Sequence, residues 1–218
     1  YIYATAASLV FGPLFFPSSS PAMQLMASYA SFAVAFFARP LGAAVFGHYG
    51  DRIGRKSTLV VSLMLMGGST LAIAFLPTYA SIGFWAPLLL CLMRFGQGFG
   101  LGGEWGGAAL LATENAPPGW KSRFGMFPQL GAPVGFLFAN GLFLALGQFL
   151  SADEFMQWGW RIPFLASAVL VILGLWIRLK ITETPEFVKI LERQEEAHAP
   201  LIEVFRSHLG AILVGTFA

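Results

Sequence analysis

Charge is scarce in this chain. Only 11% of its 218 residues are Asp, Glu, Lys or Arg, where a soluble domain carries about a quarter. So few charges cannot solvate a globular surface of this size, so lipid must be the solvent for much of it. Cysteine is nearly absent too. Cys91 stands alone, which excludes an internal disulfide and a multi-cysteine metal site. It lies in an apolar run and reads as a buried, inert thiol. None of the three histidines falls deep in an apolar run, so neither a metal site nor histidine-based catalysis is expected. No nucleophile–base set appears, so the chain does not read as an enzyme. No removable signal peptide is expected either. The chain opens at Tyr1 inside an apolar stretch, which reads as a truncated first helix.

What is present in quantity is apolar: 56% of residues are hydrophobic, with 22 Phe and 6 Trp. A membrane span needs roughly 20 mostly apolar residues. Six regions qualify or nearly do: Tyr1–Phe16, Ala22–Phe46, Ser57–Leu76, Ala86–Thr113, Phe124–Leu150 and Ile162–Ile181. A further apolar run starts at Leu209. The links between spans are Pro17–Pro21, His48–Lys56, Pro77–Trp85, Glu114–Arg123 and Ser151–Arg161. The runs are too long, and too little alternating, for barrel strands. The expectation is an all-α membrane protein. A six-helix bundle should occupy residues 1–182, a charged linker 183–208, and the start of a seventh helix 209–218.

Basic residues give an orientation. Arg52, Arg55 and Lys56 lie in the second link, and Lys121 and Arg123 in the fourth. Arg178 and Lys180 stand at the end of the sixth span, and Lys189, Arg193 and Arg206 follow it. The opposite links hold only Arg161. The positive-inside rule places the richer side in the cytoplasm, with the chain entering its first helix from there. Trp85, Trp120, Trp158, Trp160 and Trp176 fall near span ends, where indole rings anchor at the interface. Trp105 lies deep in the fourth span. The linker reads either as one or two amphipathic surface helices, with Phe187, Ile190 and Leu191 at helical spacing, or as a loose charged tether.

Between the second and third spans the sequence is Gly47-His48-Tyr49-Gly50-Asp51-Arg52-Ile53-Gly54-Arg55-Lys56. The glycines allow a tight reversal and close helix approach. Asp51 is placed to cap the third helix.

The fourth span concentrates the chemistry. At 100° per residue, Arg94, Gln97, Leu101, Glu104 and Trp105 share one face. Gly96, Gly100, Gly103 and Gly107 form one flanking ridge, and Gly98, Gly102 and Gly106 the other. Small residues at these spacings let neighbouring helices pack closely on both sides, and the polar face is expected to look into a cavity. A charge near mid-bilayer costs at least about 2.5–3.5 kcal/mol. Arg94 and Glu104 are about 15 Å apart along the axis and cannot pair with each other. Arg94 suits a carboxylate, and Glu104 could carry a proton. The alternative is that both are static packing pins. Weaker pathway candidates are Tyr3 on the first helix and Gln129 and Asn140 on the fifth. Arg39 either snorkels to headgroups or lines the cavity. Gly131-Ala132-Pro133-Val134-Gly135 marks a kink or a close crossing.

The Gly47–Lys56 segment resembles the signature loop of the major facilitator superfamily, G-x-x-x-D-R-x-G-R-[RK]. Arg94–Gly107, Glu114–Pro117, Gln129–Gly135, Trp158–Phe164 and Glu183–Phe187 together look like the metabolite:proton symporter family within it. The resemblance implies the N-terminal half of a twelve-helix transporter working by alternating access. Family members carry shikimate, 2-oxoglutarate, citrate, or proline and betaine, together with protons. By resemblance, Gly47, Asp51, Arg52, Gly54 and Arg55, with Glu114 and Glu183, form a conformational latch. The implied partners are a small carboxylate or zwitterion, the lipid bilayer and the other half of the transporter, with no nucleic acid. No cofactor is implied apart from a proton as coupling ion. The implied location is a bacterial inner membrane. An uncoupled facilitator or exchanger of the same fold is the alternative, followed by a non-transporting solute sensor.

Overall fold

The computed structural model describes residues 2–17 and 20–180, without the side chains of Asp51, Ile53, Arg55 and Leu110. The expected linker and seventh helix lie outside the described residues. Within them the chain is helical throughout. The first span comprises α1 (Ile2–Ala6), a wider π-helical turn (Ala7–Phe11) and α2 (Gly12–Phe15). The remaining long helices are α3 (Pro21–Ile53), α4 (Arg55–Ala74), α6 (Trp85–Glu114), α7 (Lys121–Phe149) and α9 (Arg161–Lys180). Two short helices, α5 (Tyr79–Ile82) and α8 (Ala152–Glu154), sit in the connections, and a second π-helical turn (Phe155–Gly159) leads into α9.

By length and composition, α3, α4, α7 and α9 each contain a stretch able to cross a membrane. The α6 helix is longer than most of them, but its glycines and polar residues dilute its hydropathy. Phe37, Phe75, Leu137, Phe138, Leu144, Val169 and Ile172 stand outward and exposed, as side chains in contact with lipid or with further protein would.

Local chemistry sets the helix ends. Proline is tolerated in the first turn, and Pro21 opens α3. Pro117 and Pro118 follow the end of α6, where a proline cannot continue the ladder. The break between α3 and α4 is narrower than the sequence suggested. The α3 helix runs on through His48–Ile53, and Gly54 alone interrupts, at φ 115°. Only glycine takes that φ without strain. Asp51 therefore lies inside α3 rather than capping α4, whose N-cap residue is Gly54. Gly47 has open space around it and is not needed for close approach. The Ser151–Arg161 link is likewise mostly helical.

The α6 helix is the hub, packed on α3, α4 and α7, and α9 packs on the outside of α4. The two glycine ridges account for this. A Cβ at Gly98 would come within 2.1 Å of the Ala35 carbonyl oxygen, and one at Gly102 within 2.1 Å of that of Arg39, both on α3. On the other side, a Cβ at Gly100 would fall 2.7 Å from the Ser62 oxygen and one at Gly107 2.8 Å from Leu59, both on α4. Gly103 departs from its ridge and faces Phe46 of α3. Gly106 faces open space.

The apolar core gathers at the end of the bundle away from Gly54. Phe11, Phe15, Trp160 and Phe164 interlock edge to face or tilted there, with centroids 5.4–6.1 Å apart. Such pairs exceed their area burial by about 0.5–1.5 kcal/mol. Trp160 is fully buried in this cluster. It is a core residue rather than the interface anchor expected, since Phe11, Phe15 and Phe164 from the first span and α9 enclose its ring. Trp85, Trp120, Trp158 and Trp176 are exposed, as anchors would be.

Candidate functional site

Arg94 sits one-third of the way along α6, facing the first span and α3. It is 7% exposed. Its Nη1 donates to Gln97 Oε1 at 2.7 Å, one turn on. Gln97 Nε2 in turn donates to Thr70 Oγ1 of α4 at 2.8 Å, and Thr70 donates to the Met66 carbonyl at 2.8 Å. The chain of donors thus starts at a cation and ends on backbone. The guanidinium carbon lies 3.7 Å from the centroid of the Tyr3 ring and 4.8 Å from that of Phe32. Desolvated cation–π contacts of this kind are worth about 2 kcal/mol. Tyr3 is held in place by its hydroxyl, which bonds Ser31 Oγ. Ser31 donates to the Ser28 carbonyl at 2.5 Å, and Ser28 donates to the Ala7 carbonyl at 2.8 Å, at the start of the π-helical turn.

All of these groups are neutral. Among the described residues no carboxylate pairs with Arg94, and its Nε is buried without a hydrogen-bond partner. The face expected to open into a cavity is closed over here by Tyr3, Phe32 and Thr70.

Glu104 lies further along α6, towards the Gly54 end. It forms an ion pair with Arg178 of α9, whose other nitrogen donates to the Leu59 carbonyl of α4. Arg178 was legible in the sequence only as a topology-setting charge. The available signal was an arginine at the end of an apolar span facing a lone acid in another, which spacing alone could not join. Trp105 is exposed on α6 and stands about 16 Å along the axis from Arg94. It belongs to neither cluster.

The remaining candidates separate. Asn140 Oδ1 accepts from Thr5 Oγ1 at 2.8 Å, and its Nδ2 donates to the Phe136 carbonyl at 2.8 Å, so this amide ties α7 to α1. Gln129 is exposed on α7. Arg39 lays its guanidinium over Phe36 at 4.2 Å. Arg52 is exposed near the end of α3, and Glu114 is the last residue of α6, half-buried. The side chains of Asp51 and Arg55, and all of Glu183, lie outside the described residues, so the contacts of the expected latch are not on view. Among the described residues no cluster of His, Cys, Asp and Glu could hold a metal.

A bundle of long apolar helices around a glycine-lined hub, with a buried cation facing its interior, defines a multi-pass membrane protein of the transporter class. The profile of the family described as "Sugar (and other) transporter" matches residues 4–208, and the chain belongs to that family, a branch of the major facilitator superfamily and one of transporters rather than enzymes. It is 58% identical over its whole length to an inner membrane metabolite transport protein, YhjE, of Escherichia coli K12, of which it covers 49%. It is 45% identical to the shikimate transporter of the same organism, over 97% of this chain and 49% of that one. It is 38% identical to a proline/betaine transporter of Salmonella typhimurium, over 85% of this chain and 37% of that one. The chain thus spans about half the length, or less, of these relatives. Among solved structures, the fold matches the xylose transporter XylE of E. coli in a partially occluded inward-open conformation. The TM-score is 0.73 at 19% identity, over 89% of this chain and 46% of that one. The major facilitator superfamily proton:xylose symporter XylE bound to a bromo-deoxyglucose matches at 0.74 and 18%, over 90% and 45%.

Proposed function

We propose that the protein carries a small organic acid or zwitterion across a bacterial inner membrane together with protons, by alternating access. One observation carries the solute class. Arg94 is a permanent cation, buried in a span and surrounded only by neutral partners among the described residues. A guanidinium in that position needs an anion or water, and its planar fork matches a carboxylate. The relatives named for shikimate and for proline and betaine fit this chemistry, since each of those solutes bears a carboxylate. The inner membrane is supported by the name of the YhjE relative and by the basic residues on one side of the bundle. The solute would lie at mid-membrane between this bundle and the rest of the transporter, which would rock against each other. Proton coupling is supported by the fold neighbour named a proton:xylose symporter.

The test is a thermal-shift panel on the full-length transporter, with shikimate, 2-oxoglutarate, proline and betaine set against xylose. The proposal expects stabilisation by one or more carboxylates and its loss in Arg94→Gln. Stabilisation by xylose alone, unchanged in Arg94→Gln, would remove the solute class.

A second reading is an uncoupled facilitator or exchanger. The observation favouring it is that Glu104, an acid inside a described span, is already paired with Arg178. Uptake indifferent to an imposed pH gradient would select it.

A further inference from the structure

Three helices meet at Arg178. It comes from the last turn of α9. One nitrogen takes Glu104 of α6, and another takes the Leu59 carbonyl of α4. The next residue along, Leu179, gives its carbonyl to Lys56 Nζ of α4 at 2.9 Å. The pair is largely withdrawn from solvent, with side chains 15% and 17% exposed. Glu104 Oε2 is buried without a hydrogen-bond partner. A carboxylate that depends on one guanidinium to this degree is poorly served by any arrangement that removes it. Glu104 is also on the helix that holds Arg94 and Gln97, ten residues from Arg94. A rigid helix transmits an axial or rotational setting over that distance.

We infer that Glu104 and Arg178 form a clasp that fixes α6 against α4 and α9 and so positions Arg94 and Gln97, and that Glu104 does not carry the coupling proton. Arg178 is then a positioning residue for transport. The α7 helix packs on α6 but takes no part in the clasp. This inference rests on the transport reading above.

The test is a cycle in the full-length transporter: Glu104→Gln, Arg178→Gln, the double variant, and Arg178→Lys. Shikimate and betaine serve as probes in proteoliposomes. Counterflow reads exchange without proton drive, an imposed pH gradient reads accumulation, and the unfolding midpoint is followed for each variant. Removing one member leaves a buried charge unpaired, whereas removing both leaves none. Each single variant should therefore lose about tenfold or more in counterflow and several degrees in midpoint. The double variant should recover to within about threefold of the wild-type counterflow rate, with its midpoint restored and accumulation intact. Arg178→Lys should recover in part, keeping the charge but losing the bond to the Leu59 carbonyl.

A double variant no better than either single would overturn the clasp. A double variant that exchanges normally but no longer accumulates would assign the proton to Glu104. Should the wild type ignore the pH gradient, the coupled reading fails while counterflow and midpoints still decide the clasp. Should neither probe be transported, the solute class is wrong and the midpoints decide the clasp alone.

Discussion

Arg94 shows how much one side chain asks of its surroundings. Tyr3 and Phe32 cover its guanidinium, Gln97 takes one N–H, and Nε is left without a partner. Lysine keeps the charge but loses the planar fork. Arg94→Lys is therefore expected to weaken binding of a carboxylate probe by about tenfold or more, with Arg94→Gln worse, as read by titration of the thermal shift. Equal binding by all three would separate Arg94 from the solute. At Gly98 the constraint is steric. A Cβ there would meet the Ala35 carbonyl at 2.1 Å, whereas at Gly106 it would meet nothing. Gly98→Ala should therefore destabilise the bundle by about 1–3 kcal/mol, read as a lower unfolding midpoint. Gly106→Ala should be neutral or slightly stabilising, since alanine is the better helix former. The glycine ridges were legible because a 100° step and small side chains predict close packing with no knowledge of the neighbours. The Arg178 clasp was not, since nothing in the local sequence of α9 says which carboxylate it will reach.

Elements obey local rules more closely than they obey composition. Each of the six expected spans is helical in the described residues, because runs of apolar residues of this length have few other ways to satisfy their backbone in lipid. The ends were less legible. Gly47 and Gly50 looked like loop residues, yet α3 continues through them to Ile53 and stops only where Gly54 adopts a positive φ. The connection after α7 looked like loop because it is polar, but Ser151 and Glu154 form a reciprocal capping box that starts a helical turn. The Ser151 backbone N–H and its hydroxyl, both donating to Glu154, hold that carboxyl below its usual range. A carboxyl depressed in the folded state contributes stability above its unfolded value and loses it as pH falls through the folded one. The α8 turn should therefore loosen in acid. The Glu154 amide, which donates to Ser151 Oγ, reports this by hydrogen exchange corrected for its intrinsic pH dependence. Its protection should fall as the medium is acidified below the carboxylate range. In Glu154→Gln, which keeps an acceptor for Ser151 but cannot titrate, protection should be flat with pH. A wild-type profile as flat as the variant's would contradict the capping account.

At the scale of the whole molecule, the packing is asymmetric. One end is a dry aromatic core around Phe11 and Trp160. The other carries the Gly54 break and the Arg178 clasp, with Arg94 and its neutral partners between them. The fold class was legible from composition, and the family from separated motifs along the chain. The closing over of the α6 face, expected to be a cavity, was not, because Tyr3 and Phe32 reach Arg94 from elements distant in sequence. The contact of Lys56, in the Gly47–Lys56 segment, with the Leu179 carbonyl of α9 was equally beyond reach, since it joins residues 123 positions apart. Under the proposed function, Arg94 is the carboxylate anchor of a proton-coupled transporter. The most direct test of this role is uphill uptake of radiolabelled shikimate or betaine into proteoliposomes bearing the full-length protein, with and without an inward proton gradient. Accumulation is expected only with the gradient, and none in Arg94→Gln. Accumulation by Arg94→Gln at the wild-type level would contradict it.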